Sequence, residues 1–445
     1  KLTAFAKATH PSPTRGEEGI AMLKAVQPVI PVLLGIILIE ASLGIVAAVM
    51  GIQMASRRVP SFLIGIVFSA YFAGFLAGSL TCERLINRVG HIRAFGVFAV
   101  SASIVTLLLA VTKNIYAWTL FQVMTGYAIA GAFVVIESWL NDKASEDNRG
   151  RIFAVYMVVS WGAGGLSPLS LNIADSQTDI LFKISTILMA AAMIPLALTK
   201  VGNPEIGHRD PFSIVKLIKA SPTGVTCCFA SGLLTGGFYS LLPVYVEQIH
   251  RTPQELSVLI AVGTTAALIV QYPIGHISDQ YGRRPVIIGT MAVAAAMALF
   301  IGATPTLPFT WLLGLFFVLT AFQSPLYALG VGQTNDYVDR KDFVPAAAGL
   351  LFLWGVGACI GPTLIGFIME WVGPEGLFYY LGVGFAVVAL FAIYRVFRRR
   401  AKTPKEQSDF VPVPNINNVY GAPELDPRGE FHHPGRSPAA KNLEE

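Results

Sequence analysis

The chain has 445 residues, of which 54% are hydrophobic and only 13% charged, with a formal net charge of +5. A soluble globular domain is about one quarter charged, so this composition and its positive mean hydropathy place the chain among lipid-solvated proteins. The four cysteines, Cys82, Cys227, Cys228 and Cys359, fall in or at the ends of apolar runs, which argues against a secreted disulfide framework or a zinc site. In chain order, residues 1–26 are polar, include Pro11, Pro13, Arg15, Glu17 and Glu18, and lack the pattern of a cleaved signal; they read as a cytoplasmic arm. Twelve apolar runs follow, at about 27–54, 62–85, 94–112, 115–140, 152–173, 181–200, 225–246, 255–276, 286–304, 309–333, 345–369 and 376–397. Each approximates the ~20 residues that cross a bilayer core of ~30 Å. The fold class expected is an all-α membrane protein of twelve transmembrane helices, divided into a six-helix bundle over 27–200 and a second over 225–400. Between them, 201–224 reads as a cytoplasmic loop. Its stretch 212–219 mixes apolar and basic residues, a pattern that fits either a short helix on the membrane face or a plain linker. Residues 401–445 are polar and proline-rich without periodicity, as in a disordered cytoplasmic tail.

An even number of spans puts both ends of the chain on one side, and Lys and Arg report which side that is. Of the 32 basic residues, 27 fall on the side of the termini and five, Arg57, Arg58, Lys113, Lys183 and Arg251, on the other. By the bias of basic residues toward the cytoplasm, both termini are expected inside.

The two halves repeat one pattern. Trp161-Gly-Ala-Gly in the fifth run echoes Trp354-Gly-Val-Gly in the eleventh, 193 positions on, and Asn141-Asp142 echoes Asn335-Asp336 at 194. A charged turn, Gly275-His-Ile-Ser-Asp279-Gln-Tyr-Gly282-Arg283-Arg284-Pro285, recurs 192 positions earlier as Glu83 followed by Asn87-Arg88-Val89-Gly90-His91-Ile92-Arg93. The turn combines a glycine for close helix contact, a carboxylate, a glycine for a tight reversal and two arginines held on one side of the membrane. It resembles the loop signature of the major facilitator superfamily, Gly-x-x-x-Asp-x-x-Gly-Arg-Arg, in position, flanks and spacing, and the resemblance runs over residues 27–397. Glu137-Ser-Trp139 with Asn148-Arg-Gly-Arg151 further resembles a bacterial branch of that superfamily often labelled YcaD-like.

The resemblance implies two pseudo-symmetric six-helix bundles that rock about a central site. It also implies a cytoplasmic gate at Gly275, Asp279, Gly282, Arg283 and Arg284 and at the first-half positions Asn87, Arg88 and Gly90, with Glu137 paired to a loop arginine and Arg151 at the start of the fifth helix. In that family the loop carboxylate is thought to cap a helix N-terminus, an interaction worth ~0.3–2 kcal/mol. The candidate partners are Gly150-Arg151 and the eleventh helix, expected to begin at Pro345. Asn87 brings no charge to this role, so the second-half latch is expected to be the stronger. The plain alternative is that these charges only fix topology.

Glu40, in mid-run of the first helix, is costly in lipid and therefore informative. The resemblance places the first, fourth, seventh and tenth helices around a central cavity. Glu40 would then face the solute and take up a proton or attract a cationic group, or else be a protonated carboxyl hydrogen-bonded to a neighbouring helix. Similar depths give Gln122 and Tyr127, Phe238 and Tyr239, and Phe322, Gln323 and Tyr327, with Trp161 and Trp354 as cavity walls; each aromatic could equally be packing. The set suits a flat or amphipathic solute and suits a metal ion or polyanion poorly.

Two departures from the family pattern bear on mechanism. Gln122, before Gly126, stands where many proton-coupled members have an arginine. The Gly-x-x-x-Gly-Pro pattern of many exporters is altered at Gly164–Pro168 and intact at Gly357–Pro362. No catalytic set, nucleotide loop, cofactor motif or metal spacing appears. The expectation is therefore a non-enzymatic monomeric carrier in the bacterial inner membrane, with a small-molecule substrate and the lipid bilayer as its partners and no nucleic acid. A drug or metabolite exporter and a transport-inactive scaffold are the alternatives.

Overall fold

The computed structural model describes residues 27–145, 148–198, 213–339, 342–398 and 407. The expected N-terminal arm at 1–26, the central loop up to 212, and the tail at 401–445 apart from Gln407 lie outside the described residues. Among the described residues, twelve helices are long and apolar enough to cross a membrane: α1 Gln27–Ser56, α2 Ser61–Thr81, α3 His91–Val111, α4 Ile115–Lys143, α5 Arg149–Asn172, α6 Ile180–Ala197, α7 Pro222–Gln248, α8 Pro253–Tyr281, α9 Arg283–Ala303, α10 Phe309–Asn335, α11 Phe343–Val372 and α12 Gly376–Arg398. Short helices at Glu83–Val89 and Ile214–Ala220 lie between spans. The second falls on the mixed apolar and basic stretch of the central loop.

Helix is the natural answer to lipid, which cannot hydrogen-bond an open backbone. The starts are written locally. Asn114 Oδ1 caps α4 by accepting from the Tyr116 and Ala117 amides at 2.8 and 3.2 Å. Thr252 and Glu255 form a reciprocal capping box at α8, with Pro253 in the first turn. The two charged turns reverse at Gly90 and Gly282, whose φ of 84° and 94° fall in the region that only glycine enters freely. α11 begins at Phe343, two residues before the expected Pro345, with Pro345 inside its first turn.

α2 is the element on which both halves meet, since it packs along α4 in its own half and along α11 in the other. The α2–α4 crossing is close because a Cβ added at Gly74 would overlap the Val123 carbonyl, and one at Gly126 the Tyr71 carbonyl. Across the halves, Ser61 donates its amide to Glu370 Oε2 at 2.8 Å and accepts at its hydroxyl from Gln248 Nε2 at 2.9 Å. Asn172 Nδ2 donates to Ser257 Oγ at 3.1 Å. These bonds tie the bundle at the end opposite Gln27 and Arg398. Nearer mid-depth, the Ser69 and Thr363 hydroxyls sit 2.7 Å apart.

Spans α5, α7 and α10 depart from regular α-helix. α5 tightens into a 3₁₀ turn at Ser167–Asn172, α7 widens into a π turn at Gly232–Gly236, and α10 is interrupted between Gln323 and Leu326 by Ser324-Pro325. Proline lacks the amide that would continue the ladder, which accounts for the breaks at Pro168 and Pro325.

Because backbone rather than a flexible side chain meets Gly74, Gly74→Leu should cost at least ~1–3 kcal/mol, as overpacking does. A thermal melt in detergent checks this, with Gly162→Ala, which meets nothing within 4 Å, as the neutral control.

Candidate functional site

The breaks and the α1 midpoint converge on one cavity of about 150 Å³ between the halves. Its walls come from α1, α2, α3, α4, α5, α7, α8 and α10, so more helices contribute than the four the resemblance implies. Glu40 lies on this wall and is completely buried. Its carboxyl is close enough to the Tyr71 and Tyr156 hydroxyls to act on both electrostatically. Among the described residues that line the cavity none is basic, and most of the wall is apolar.

Five of the ten predicted cavity residues, Glu40, Gln122, Trp161, Tyr239 and Gln323, meet here. The other five are outside the lining. Phe238 turns into the core against Phe316 and Phe378, with ring centroids 5.6 and 6.3 Å away. Phe322 packs into the same core. Tyr127 points toward the α2 terminus, where its hydroxyl accepts from Thr81 Oγ1 at 3.3 Å. Tyr327 is buried beside Cys228, and Trp354 stands behind Phe72, a wall residue, in an edge contact at 6.2 Å. Depth along a helix says nothing about azimuth, and for these residues the azimuth differs. Thr125, Tyr71, Thr235 and Ser240 also line the cavity and were not singled out from sequence. Thr125 was legible, being three residues beyond Gln122 and so on the same helix face. Tyr71 was not, because α2 is outside the four helices implied.

At the other candidate site, Arg283 is completely buried and donates from Nε to Asp336 Oδ2 at 3.0 Å and from Nη1 to Ser278 Oγ at 3.1 Å. Asp279 Oδ1 lies 3.3 Å from Arg283 Nη1, with its side chain 30% exposed against 1% for Asp336. Asp336, at the end of α10 and used above only as a repeat anchor, is thus the more deeply buried of the two carboxylates on Arg283. Arg284 donates to the Tyr337 hydroxyl at 3.2 Å and to the Arg395 carbonyl at 3.3 Å, which ties the turn to the end of α12. Gly275 and Gly282 are buried beneath it.

In the first half, His91 occupies the position of Arg283. Its ring pairs with Ser138 Oγ at 3.1 Å and lies within electrostatic reach of Asp142, the repeat mate of Asp336. Asn87, Arg88 and Arg151 are exposed. Glu137 accepts from the Tyr156 hydroxyl at 3.1 Å.

The model of the Major Facilitator Superfamily matches residues 32–252 and 224–427. The chain belongs to the major facilitator superfamily. Within it, the chain is similar to an uncharacterized MFS-type transporter, YcaD, of Escherichia coli K12, with 26% identity over 85% of this chain and 97% of that protein. It is similar to an uncharacterized MFS-type transporter of Enterobacter sp. strain 638, with 25% identity and the same coverage. Among solved structures it superposes on the nucleoside transporter NupG with a TM-score of 0.63 at 15% identity, over 84% of this chain and 99% of that one. A bacterial homologue of the human lysosomal transporter Spinster gives 0.66 at 14%, over 89% and 99%. At such identities these structural likenesses establish the superfamily fold.

Removing one partner of a buried ion pair costs ~3–5 kcal/mol. Asp336→Asn should therefore lower stability by about that amount, and Asp279→Asn, at a partly hydrated site, by less than ~1 kcal/mol. Thermal melts of the two purified variants check the ranking.

Proposed function

We propose that the chain is a secondary carrier that moves a small organic solute across the bacterial inner membrane by alternating exposure of the central cavity, with Glu40 as the proton-coupling carboxyl. The observation that carries this reading is a fully buried carboxyl on the wall of a mid-membrane cavity whose described lining holds no basic side chain. An ionisable group at that depth is expensive to keep, and a proton that it binds and releases gives it a use. The hydrogen bonds of Ser61 and Asn172 across the halves would form and break as the bundles rock. The Arg283–Asp336 pair is the proposed latch at the other end, with Asp279, Gly275, Gly282 and Arg284 around it.

A thermal-shift panel of vitamins, nucleobases, amino acids, sugars and cationic drugs at pH 5.5 and 8 identifies ligands. A ligand at 100 times its Kd adds ~2.7 kcal/mol. In proteoliposomes a binder from the panel should be driven by an imposed pH gradient, and Glu40→Gln should reduce that accumulation at least ~100-fold while leaving binding measurable. Binding without gradient-driven movement in the unaltered protein would sink the carrier reading.

The basic residues also make a prediction about sidedness. In a cysteine-depleted background, an impermeant thiol reagent outside intact cells should label Arg58→Cys and spare Arg88→Cys. The reverse pattern would invert the orientation.

A further inference from the structure

Five polar atoms on the cavity side chains are buried without a hydrogen-bond partner: Gln122 Oε1, Thr125 Oγ1, Trp161 Nε1 and both Oε1 and Nε2 of Gln323. Their residues are 5%, 2%, 4% and 1% exposed respectively, and all four line the same cavity. The Gln323 amide lies beside the Tyr239 hydroxyl but outside good hydrogen-bond geometry. A buried polar atom left unpaired costs ~1–3 kcal/mol, so the protein's own groups leave the site under-satisfied in a definite pattern, and that pattern describes its ligand.

The indole of Trp161 can only donate, so the ligand has an acceptor. Gln122 Oε1 can only accept, so the ligand also has a donor. Gln323 offers a donor and an acceptor side by side on one planar amide, which matches a ligand edge carrying an acceptor next to a donor. Tyr71, Phe72, Trp161 and Tyr239 bring aromatic surface to the wall, which suits a planar ring. With Glu40 present and no basic residue in the described lining, an anionic ligand would be buried without a counter-charge. A cavity of this volume, about 150 Å³, holds a single benzene-sized ring. A sugar of similar size would leave hydroxyls unpaired against the apolar part of the wall.

We propose that the cavity recognises a non-anionic single-ring heterocycle with an adjacent ring N–H and C=O, and that Gln323 is the specificity-determining residue that pairs with this edge. This rests on the cavity being the carrier's solute site, and it adds the chemical class. Gln122 and Trp161 meet the remaining donor and acceptor of the ring. Thr125, which can donate or accept, adjusts to either.

The test uses the purified full chain and four probes: uracil and 2-pyridone, which carry the edge; 1,3-dimethyluracil, which has lost both N–H groups; and benzoate, a flat anion of similar size. Titration calorimetry should show uracil or 2-pyridone binding at least tenfold more tightly than 1,3-dimethyluracil, with no benzoate binding. Gln323→Met should weaken the lactam probe at least tenfold and leave the ligand-free melting point equal or higher, because two unpaired buried atoms have been removed. If that variant melts lower, Gln323→Leu keeps a similar volume, also removes both the donor and the acceptor of the amide, and should show the same selective loss. Binding of benzoate or 1,3-dimethyluracil as tight as uracil overturns the proposal, as does absence of binding by both lactams to folded protein or an unchanged lactam affinity in both variants. Proteoliposome flux separates this inference from the carrier reading. Lactam binding without flux removes the carrier and keeps the recognition, whereas benzoate flux keeps the carrier and removes the recognition.

Discussion

Lipid offers no hydrogen bonds, and this one deficiency explains most of what is distinctive in the structure. A spanning backbone must satisfy itself, so the chain is helical wherever it is apolar, and polar groups that are not satisfied inside the bundle stand out. The three broken helices show the constraint at work. Around the breaks in α7 and α10, hydroxyls fold back on nearby carbonyls: Thr235 onto Ser231, Ser240 onto Gly236 at 2.7 Å and Ser324 onto Ala321 at 3.2 Å. Thr235, Ser240 and Ser324 all line the cavity, with Pro168 of the α5 break. Irregular backbone at membrane depth is tolerated only where protein or a cavity surrounds it, and here the irregular turns and the cavity coincide.

The same constraint separates the two ends of the molecule. At the end opposite Gln27 and Arg398, the halves are joined mainly by neutral partners around Ser61, with the Glu370 carboxylate at the α2 N-terminus, where it also meets the helix dipole. At the other end of the second half lies a fully buried guanidinium held by Asp336 and Ser278. Its first-half counterpart is an imidazole on a serine hydroxyl. One fold repeated twice thus carries a permanent charge on one side of its pseudo-axis and a titratable ring on the other. Arg283→His in evolution or design would not be a neutral exchange, because histidine keeps its charge only over part of the physiological pH range.

Much of this architecture was legible in residue order. Twelve runs, the 192-to-194-residue repeat and the charged turn all follow from hydrophobic length and from residue types that a tight reversal requires, such as glycine at Gly90 and Gly282. Glu40 was legible as well, since a carboxyl at that depth is conspicuous whatever its neighbours are. Less visible was which face of each helix looks inward. Phe238 and Tyr239 are adjacent in sequence, yet one belongs to the core and the other to the cavity wall. Asp336 and Asp279 both read as loop carboxylates, and only their unequal burial distinguishes them.

By itself, the sequence determined that the chain is a twelve-span membrane protein with a duplicated half, because transfer of apolar length into lipid is a local, additive property of consecutive residues. The tertiary structure decided which polar side chains share the cavity, which carboxylate holds Arg283, and that Gln122, Thr125, Trp161 and Gln323, each with a buried unpaired atom, line one cavity. Those outcomes depend on the rotation and crossing of helices far apart in the chain, set by close approaches such as Gly74 on Val123 and Gly126 on Tyr71, and no local pattern encodes them.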